Sequence, residues 1–502
     1  MTNGKNKCGL AWQGFRHAFS GAGWWIGSAL AALLTLNAAA ATKPVMVHFM
    51  PWFVAEPFSG GWGWHWTMNF FNPNTFSTNG QRQIASWYYP QIGPYDSDDP
   101  AVLEYQVLLM KLGGVDGVIV DWYGMDDYAD YAVNNQRTVA LFGWIRKAGM
   151  KFSLCYEDAT ILNEINGGYI TSNNAVAHAA QTMLYAETNF FDDPCFLRFQ
   201  GRPVLLNFGP QYFKSSDSWV AIFSGLAASN SPPAFFTENS KLAAGEGAFD
   251  WPPMYLSQTN SGVLTSNQLN AYLTQFEQGA GLWGGYISSA FPRFHDIYQQ
   301  AGTQPSLGYL DDDNGLTFQS TLRRAMTNTS AIAQIVTWND YGEGTIVEPT
   351  TQYGYRDLGV IQNFRRLYLS PSYAGTTNDL PTALRLYNAR RKYAGNAIAS
   401  AEMDRVFSDA VAGDLTDANL KLGGLESQSP VIYNLIFTNN QLSFSVGGYV
   451  SGNGVAIQCT SDATLSHWQT ARILNPGANA ASFTTNVAGF TAPVFFRAAN
   501  QP

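Results

Sequence analysis

Apolar and polar positions alternate between two periods along this chain. From residue 44 to residue 338, short runs of β-branched, aromatic and other apolar residues recur, separated by stretches with helical spacing. The runs are Pro44–Phe49, Val115–Asp121, Lys151–Tyr156, Pro203–Phe208, Ala234–Thr237, Met254–Ser257, Leu282–Ser288 and Ala331–Trp338. Between them, Ala101–Leu112 places Val102, Tyr105, Val107, Leu108 and Leu112 on one helical face, with Asp99-Pro100 as a start signal and Gly113-Gly114 as a stop. Further helical patterns cover Tyr131–Gly149, Ala175–Thr188 and Leu316–Met326. Eight strands alternating with helices predict an α/β fold, a (β/α)8 TIM barrel.

Past the last run the texture changes. Tyr355–Leu369 is helical, Ser370–Pro381 is a polar connection, and Ala383–Leu425 is helical and exposed in pattern, with Arg390-Arg391-Lys392 as a solvated face. From Pro430, short strands at 431–437, 441–446, 455–459 and 494–498 are punctuated by Asn-Asn, Gly-Gly and Pro-Gly turns, the pattern of a small all-β sandwich. The expected organisation is a signal segment at 1–41, the barrel at 42–369, a helical linker at 370–428 and the β module at 429–502.

The N-terminus carries the export pattern. Lys5, Lys7, Arg16 and His17 precede the apolar run Trp24–Leu36, and small residues follow up to Ala41. That run is short for a membrane span, and no other stretch is long and apolar enough to be one. The expectation is a secreted or periplasmic protein without a stable membrane anchor after cleavage.

Composition narrows the partner. Charged residues make up 13% and aromatic residues 14%, with 15 Trp and 25 Tyr, a balance suited to neutral, partly apolar ligands such as sugars. A net charge of −9 leaves no excess of Lys and Arg to neutralise phosphates, so nucleic acid is not an expected partner. Cys155, Cys195 and Cys459 would remain after cleavage and allow at most one internal disulfide. No CxxC or HExxH motif occurs, and the six His do not cluster in sequence, so no metal or other cofactor is expected. Asp311-Asp312-Asp313-Asn314-Gly315 lacks the alternate ligand spacing of an EF-hand and reads as a turn before the next helix.

The candidate chemistry sits where the eighth run ends. Asp340 and Glu343 stand three residues apart in a polar, Gly-rich loop among Trp338, Asn339 and Tyr341, an arrangement suited to an acid/base pair against a sugar. Polar and aromatic groups also end other strands: Trp52, Asp121 with Trp122, Tyr156 with Glu157, Asn207 and Glu238. In a barrel these ends converge on one face. The loop GGWGWHW at 60–66 is a further candidate ligand surface.

Four segments taken together resemble glycoside hydrolase family 99 and the related family 71: HFMPWF at 48–53, IGPYDSDDP at 92–100, GVDGVIVDWYG at 114–124 and WNDYGEGTIVEP at 338–349. The resemblance spans Val45 to Arg366. It implies a barrel glycosidase that cleaves an α-linked glycan, α-mannan in the first family and α-1,3-glucan in the second, endo-acting and without a cofactor. It places Asp340 on the first catalytic carboxylate, as base, and Glu343 on the second, as acid. Trp52, Trp122 and Trp338 would then offer stacking surface, and Tyr123, Tyr156, Glu157, Asn207, Asn339 and Glu348 would meet hydroxyls. At the position of Asp340, family 99 carries Glu, whereas family 71 carries Asp as this chain does. Family 99 retains configuration through the substrate's own 2-hydroxyl, whereas family 71 inverts through water. The shorter Asp favours an activated water. Two non-catalytic alternatives stand beside this reading, a sugar-binding barrel and a surface protein with a β-sandwich adhesion module.

Overall fold

The computed structural model describes residues 43–56, 58–449, 454–475 and 481–501. The expected export segment lies outside the described residues. Eight strands form the barrel: β1 (Val45–Phe49), β2 (Gly117–Trp122), β3 (Lys151–Tyr156), β4 (Arg202–Asn207), β5 (Ala234–Glu238), β6 (Gly247–Phe249), β7 (Ile287–Ala290) and β8 (Ile332–Ile335). Each pairs in parallel with the next, and β8 closes the ring on β1 with Ala333 opposite Val45. Helices α1 (Pro100–Leu112), α2 (Tyr131–Lys147), α3 (Ala175–Ala186), α4 (Ser216–Phe223), α5 (Ser266–Ala280), α6 (Leu316–Thr327) and α7 (Arg356–Phe364) surround it. No helix separates β5 from β6.

Strand alternation divides the apolar residues into two cores. Ile119, Cys155, Leu206, Phe236, Ile287 and Ile332 fill the barrel interior. Val118, Val120, Leu154, Leu205, Phe235 and Ile335 face outward onto Leu108, Phe142, Met183, Trp219 and Leu322 of the helices. The helix starts follow their local signals. Asp99 caps α1, its side chain accepting the Ala101 N–H at 2.9 Å, and Thr265 with Gln268 forms a capping box at α5.

Three expectations shift. The sixth strand is Gly247–Phe249, and Met254–Asn260 is a 3-10 helix. A Cβ on Gly247 would lie 1.8 Å from the Gly285 carbonyl oxygen, so the tight pairing there demands a residue that strand propensity disfavours. The seventh strand begins at Ile287 rather than Leu282, which is 92% exposed. The eighth ends at Ile335, because the chain turns away to build the loop that follows.

The segment after the barrel is not an exposed linker. Tyr373 donates to the Leu112 carbonyl at 2.6 Å. Helices α8 (Pro381–Lys392), α9 (Ala397–Ala412) and α10 (Leu415–Ser427) join the outer core through Ala383, Leu386, Met403, Val406, Leu422 and Leu425. Arg390, expected on a solvated face, donates to both oxygens of buried Glu104 on α1 at 2.8 and 2.7 Å. Arg391 pairs with the α1 cap Asp99. Helical spacing placed the apolar stripe but gave no sign that acids on α1 await these cations.

The chain ends in two antiparallel three-stranded sheets. One orders β9 (Val431–Thr438), β10 (Gln441–Gly447) and β13 (Ala481–Asn486); the other orders β12 (Gln469–Leu474), β11 (Val455–Thr460) and β14 (Phe495–Asn500). Phe444, Val446, Val455, Ile457 and Phe483 form their shared core. Glu402 of α9 accepts the Gly448 N–H at 2.8 Å and fastens this module to the helices. Among the described residues no helix is long and apolar enough to cross a membrane. Cys155, Cys195 and Cys459 are free thiols.

Candidate active site

The loop after β8 is closed by its own backbone. Thr337 N–H donates to Thr345 O at 2.7 Å, Glu348 N–H to Trp338 O at 2.9 Å, and Trp338 N–H reaches His48 O of β1 at 2.7 Å. Inside it, Asp340 N–H donates to Thr337 Oγ1 at 2.8 Å, and Asp340 Oδ1 accepts the Glu343 N–H at 3.0 Å. Gly344 closes the turn at φ +69°, where a Cβ would lie 2.7 Å from His295 O, so only glycine fits.

Residues expected to touch sugar hold this loop from behind instead. The Asn339 amide accepts Met50 N–H at 2.8 Å and donates to Met50 O at 2.9 Å and Tyr95 Oη at 3.1 Å. Glu348 accepts from Tyr95 and Tyr341 hydroxyls at 2.8 and 2.9 Å and from Gln106 Nε2 at 2.8 Å. Trp338 is fully buried among outer-core side chains. Arg293, itself buried, donates to the Ile346 carbonyl and pairs with Asp357 at the start of α7.

Asp340 and Glu343 face three more acids from neighbouring strand ends: Asp121 on β2, Glu157 just past β3 and Glu238 at the end of β5. Burial lifts the Glu343 carboxyl well above the usual carboxylate range, and Asp340, Asp296, Glu238 and Glu157 lift it further. Its Oε2 is buried without a hydrogen-bond partner. Burial also raises Asp340, to about 6, against the Glu343 and Gly342 N–H groups that hold its charged form. Burial pushes the Asp121 carboxyl well above the usual carboxylate range, and Glu157, Asp340 and Glu343 push it further. Burial raises both Glu157 and Glu238 to about 7. One end of the barrel thus gathers carboxyl groups that cannot all ionise together.

Aromatic rings border the acids. Trp52 stacks on His65 with centroids 4.2 Å apart and lies 6.2 Å from Tyr123. Burial raises the Tyr123 hydroxyl well above its usual range, and Asp121 and Glu157 add to this. Tyr298 behaves alike, raised by burial and then by Glu343 and Asp340. The loop at 60–66 divides: Trp66 is core and donates to Tyr95 O at 2.8 Å, whereas Trp64 is exposed. A groove of about 560 Å³ is lined by Trp87, His295, Asp296, Gln299 and Tyr309. Trp87 stacks on His295 at 4.6 Å, and His295 N–H donates to Glu343 O at 2.8 Å.

Three expected sugar contacts point the other way. Trp122 and Tyr156 belong to the outer core, and Trp122 Nε1 donates to Asn135 at 3.0 Å. Asn207 donates to Tyr156 O at 2.7 Å and to buried Asp158 at 3.2 Å. The period of two explains all three. Ile119 and Cys155 face inward, so Asp121 and Glu157 do too, while Trp122 and Tyr156 cannot. The same alternation would have selected Asp121 from sequence. No sequence signal marked Asp296 and Tyr298, which reach the site through an irregular segment after β7. Glu238 ended an expected strand but carried no assigned role.

The model of glycosyl hydrolase family 99 matches residues 42–369. The chain belongs to that family. It is therefore a glycoside hydrolase, with a glycan as substrate. Among solved structures, the family 99 endo-α-mannosidase of Bacteroides thetaiotaomicron is similar at 18% identity and TM-score 0.47, over 64% of this chain and 97% of that one. The family 99 endo-α-mannosidase of that organism in complex with bis-tris propane is similar at 18% identity and TM-score 0.46, over 64% of this chain and 98% of that one. A glycoside hydrolase-like protein gives 12% identity and TM-score 0.48, over 64% and 94%. No curated protein matches. The loop at 338–349 lies inside the matched segment, as do Asp121, Glu157, Glu238 and Asp296.

Proposed function

We propose that this family 99 protein hydrolyses α-mannosidic linkages within a glycan chain, with Glu343 as general acid and Asp340 as general base. The observation that carries this reading is the buried, unpartnered Oε2 of Glu343, in a carboxyl raised well above the usual range by burial and by its acidic neighbours. A protonated carboxyl aimed into a cleft can give its proton to the leaving glycosidic oxygen. Asp340 is also raised by burial, but only to about 6. Two backbone N–H groups favour its charged form, so near neutral pH it is an anion beside a neutral acid. The remaining acids keep the site electronegative, which favours a transition state with positive charge on the sugar ring.

The carboxylate cluster, with Trp52 and Tyr123 beside it, suits a sugar at the point of cleavage. The groove lined by Trp87 and His295 suits a further sugar next to it, as an endo-acting enzyme requires. Asp at position 340 favours a second substrate, α-1,3-glucan. The deciding experiment incubates the full chain with α-mannan and with α-1,3-glucan and sizes the products. Oligosaccharides released from α-mannan support the proposal. Release from α-1,3-glucan alone overturns the substrate, and monosaccharide as the sole product overturns endo action. We also infer export, from the basic and apolar pattern before Ala41. An N-terminus near residue 41 in secreted protein, read by mass spectrometry, supports it; an intact Met1 overturns it.

A further inference from the structure

We propose that Asp126, Glu164 and His178 form a binding site for a divalent first-row transition ion, of the zinc class, away from the carboxylate cleft. Asp126 lies in the loop after β2. Glu164 lies on the short helix Ala159–Asn166 after β3, and His178 on α3. Their ligating atoms fall within 4.8 Å of one another. His178 Nε2 is 3.1 Å from Asp126 Oδ2 and 3.2 Å from Glu164 Oε2.

A hydrogen-bond account leaves this cluster incomplete. One ring nitrogen carries at most one proton, yet two carboxylate oxygens approach it. Asp126 Oδ2 makes the hydrogen bond with Nε2, and Glu164 Oε2 is left buried without one, in a side chain only 2% exposed. A buried carboxylate oxygen without a partner is costly. A cation among the three atoms would satisfy all of them. Zinc-class ions bind imidazole and carboxylate at ~2.0–2.2 Å, which sets neighbouring ligand atoms roughly 2.8–3.6 Å apart. Both contacts to Nε2 fall in that interval. Two carboxylates with a neutral imidazole also match a charge of +2, and the nitrogen ligand favours the zinc class over calcium or magnesium. Asp126 and His178 are half-buried, so an ion can enter from solvent.

The three ligands come from separate segments that follow β2 and β3, the strands that deliver Asp121 and Glu157 to the cleft. A bound ion would therefore clamp that rim together without touching substrate. The proposal does not depend on which glycan is cleaved.

The test uses the full chain carrying His467→Ala, which removes the exposed His467–Asp462 pair as a competing site. The protein is stripped with chelator, dialysed against zinc and analysed for metal. One tightly held zinc per chain, with an imidazole signature and an oxygen/nitrogen shell at ~2.0–2.2 Å in zinc-edge X-ray absorption, is the expected result. Adding His178→Ala or Asp126→Asn should weaken zinc binding by more than about 100-fold. Absence of retained zinc, a shell without imidazole, or binding unchanged in both variants would overturn the proposal. If the variants fail to fold, the absorption spectrum of the parent protein decides alone.

Discussion

Asp340 and Glu343 are joined by a hydrogen bond, the Glu343 N–H to Asp340 Oδ1 at 3.0 Å, so the two acids form one rigid turn. Only Oδ2 of Asp340 is free of this bond. The bond fixes the Asp340 carboxylate against the backbone that carries Glu343, as the proposed acid/base pair requires.

Replacing Glu343 by Gln preserves the turn, since the backbone N–H makes the bond. It removes the transferable proton. The expected loss is ~10²- to 10⁴-fold in kcat on a substrate with a poor leaving group, with binding retained. Steady-state kinetics and calorimetric titration with a product oligosaccharide check both halves. Wild-type turnover would refute the role.

The pH profile follows from two upward shifts of unequal size. Asp340 must be charged to act as base, so kcat/KM should fall as pH drops through about 6. Glu343 must be protonated, so a second limb should appear above the usual carboxylate range. In Glu343→Gln the alkaline limb should vanish while the acid limb stays. Activity that keeps rising toward pH 4 would contradict the assignment.

The first product's anomeric form tests the role of Asp340 directly. An Asp carboxylate is set back by one carbon–carbon bond, roughly 1.5 Å, relative to Glu. Its Oδ1 is also held back by its own loop, through the Glu343 N–H. Inverting glycosidases keep their carboxyls about 6.5–9.5 Å apart and retaining ones about 5–5.5 Å. The expected first product of an α-linked substrate is the β-anomer, followed by NMR before mutarotation. Initial release of the α-anomer would rule out inversion.

Glu348 gives a stability prediction. Burial raises its carboxyl to about 7, against an ordinary 4.5, and outweighs the hydrogen bonds from Gln106, Tyr95 and Tyr341 that favour its charged form. Its contribution is complete below about pH 4.5 and is lost as pH rises through 7, on the order of 3 kcal/mol. In Glu348→Gln that dependence disappears. Gln106, whose Oε1 is unpartnered, can turn its amide to accept from the new one. Calorimetric melting from pH 4 to 8 should show the wild type losing ground to the variant as pH rises. Parallel curves would show that Glu348 is charged throughout.

Strong strand sequences were readable directly. KFSLCY at 151–156 is β3 residue for residue, because alternating bulky side chains serve both cores at once. β6 was hidden because Gly247 is there for close approach rather than propensity. At the site, the juxtaposition of Asp340 and Glu343 was visible because both lie on one loop. Trp122, Tyr156 and Asn207 were misplaced by reading strand ends without carrying the alternation through. Trp338, Asn339 and Glu348 were misplaced because a loop's supporting side chains and its exposed ones have the same composition. Asp296 and Tyr298, and the meeting of Asp126, Glu164 and His178, depend on contacts between distant segments, which spacing along the chain does not encode.

The clasp of Arg390 on Glu104 separates the unit of ancestry from the unit of folding. The family match ends at residue 369, yet the cations that neutralise Glu104 and Asp99 come from beyond it. A chain stopped at that boundary would leave Glu104 with an uncompensated charge, a loss on the order of 3–5 kcal/mol. It would also bare the apolar face of α1 that α8 covers. The tail is thus part of the barrel's own foundation, and a minimal catalytic fragment of this hydrolase extends through α10.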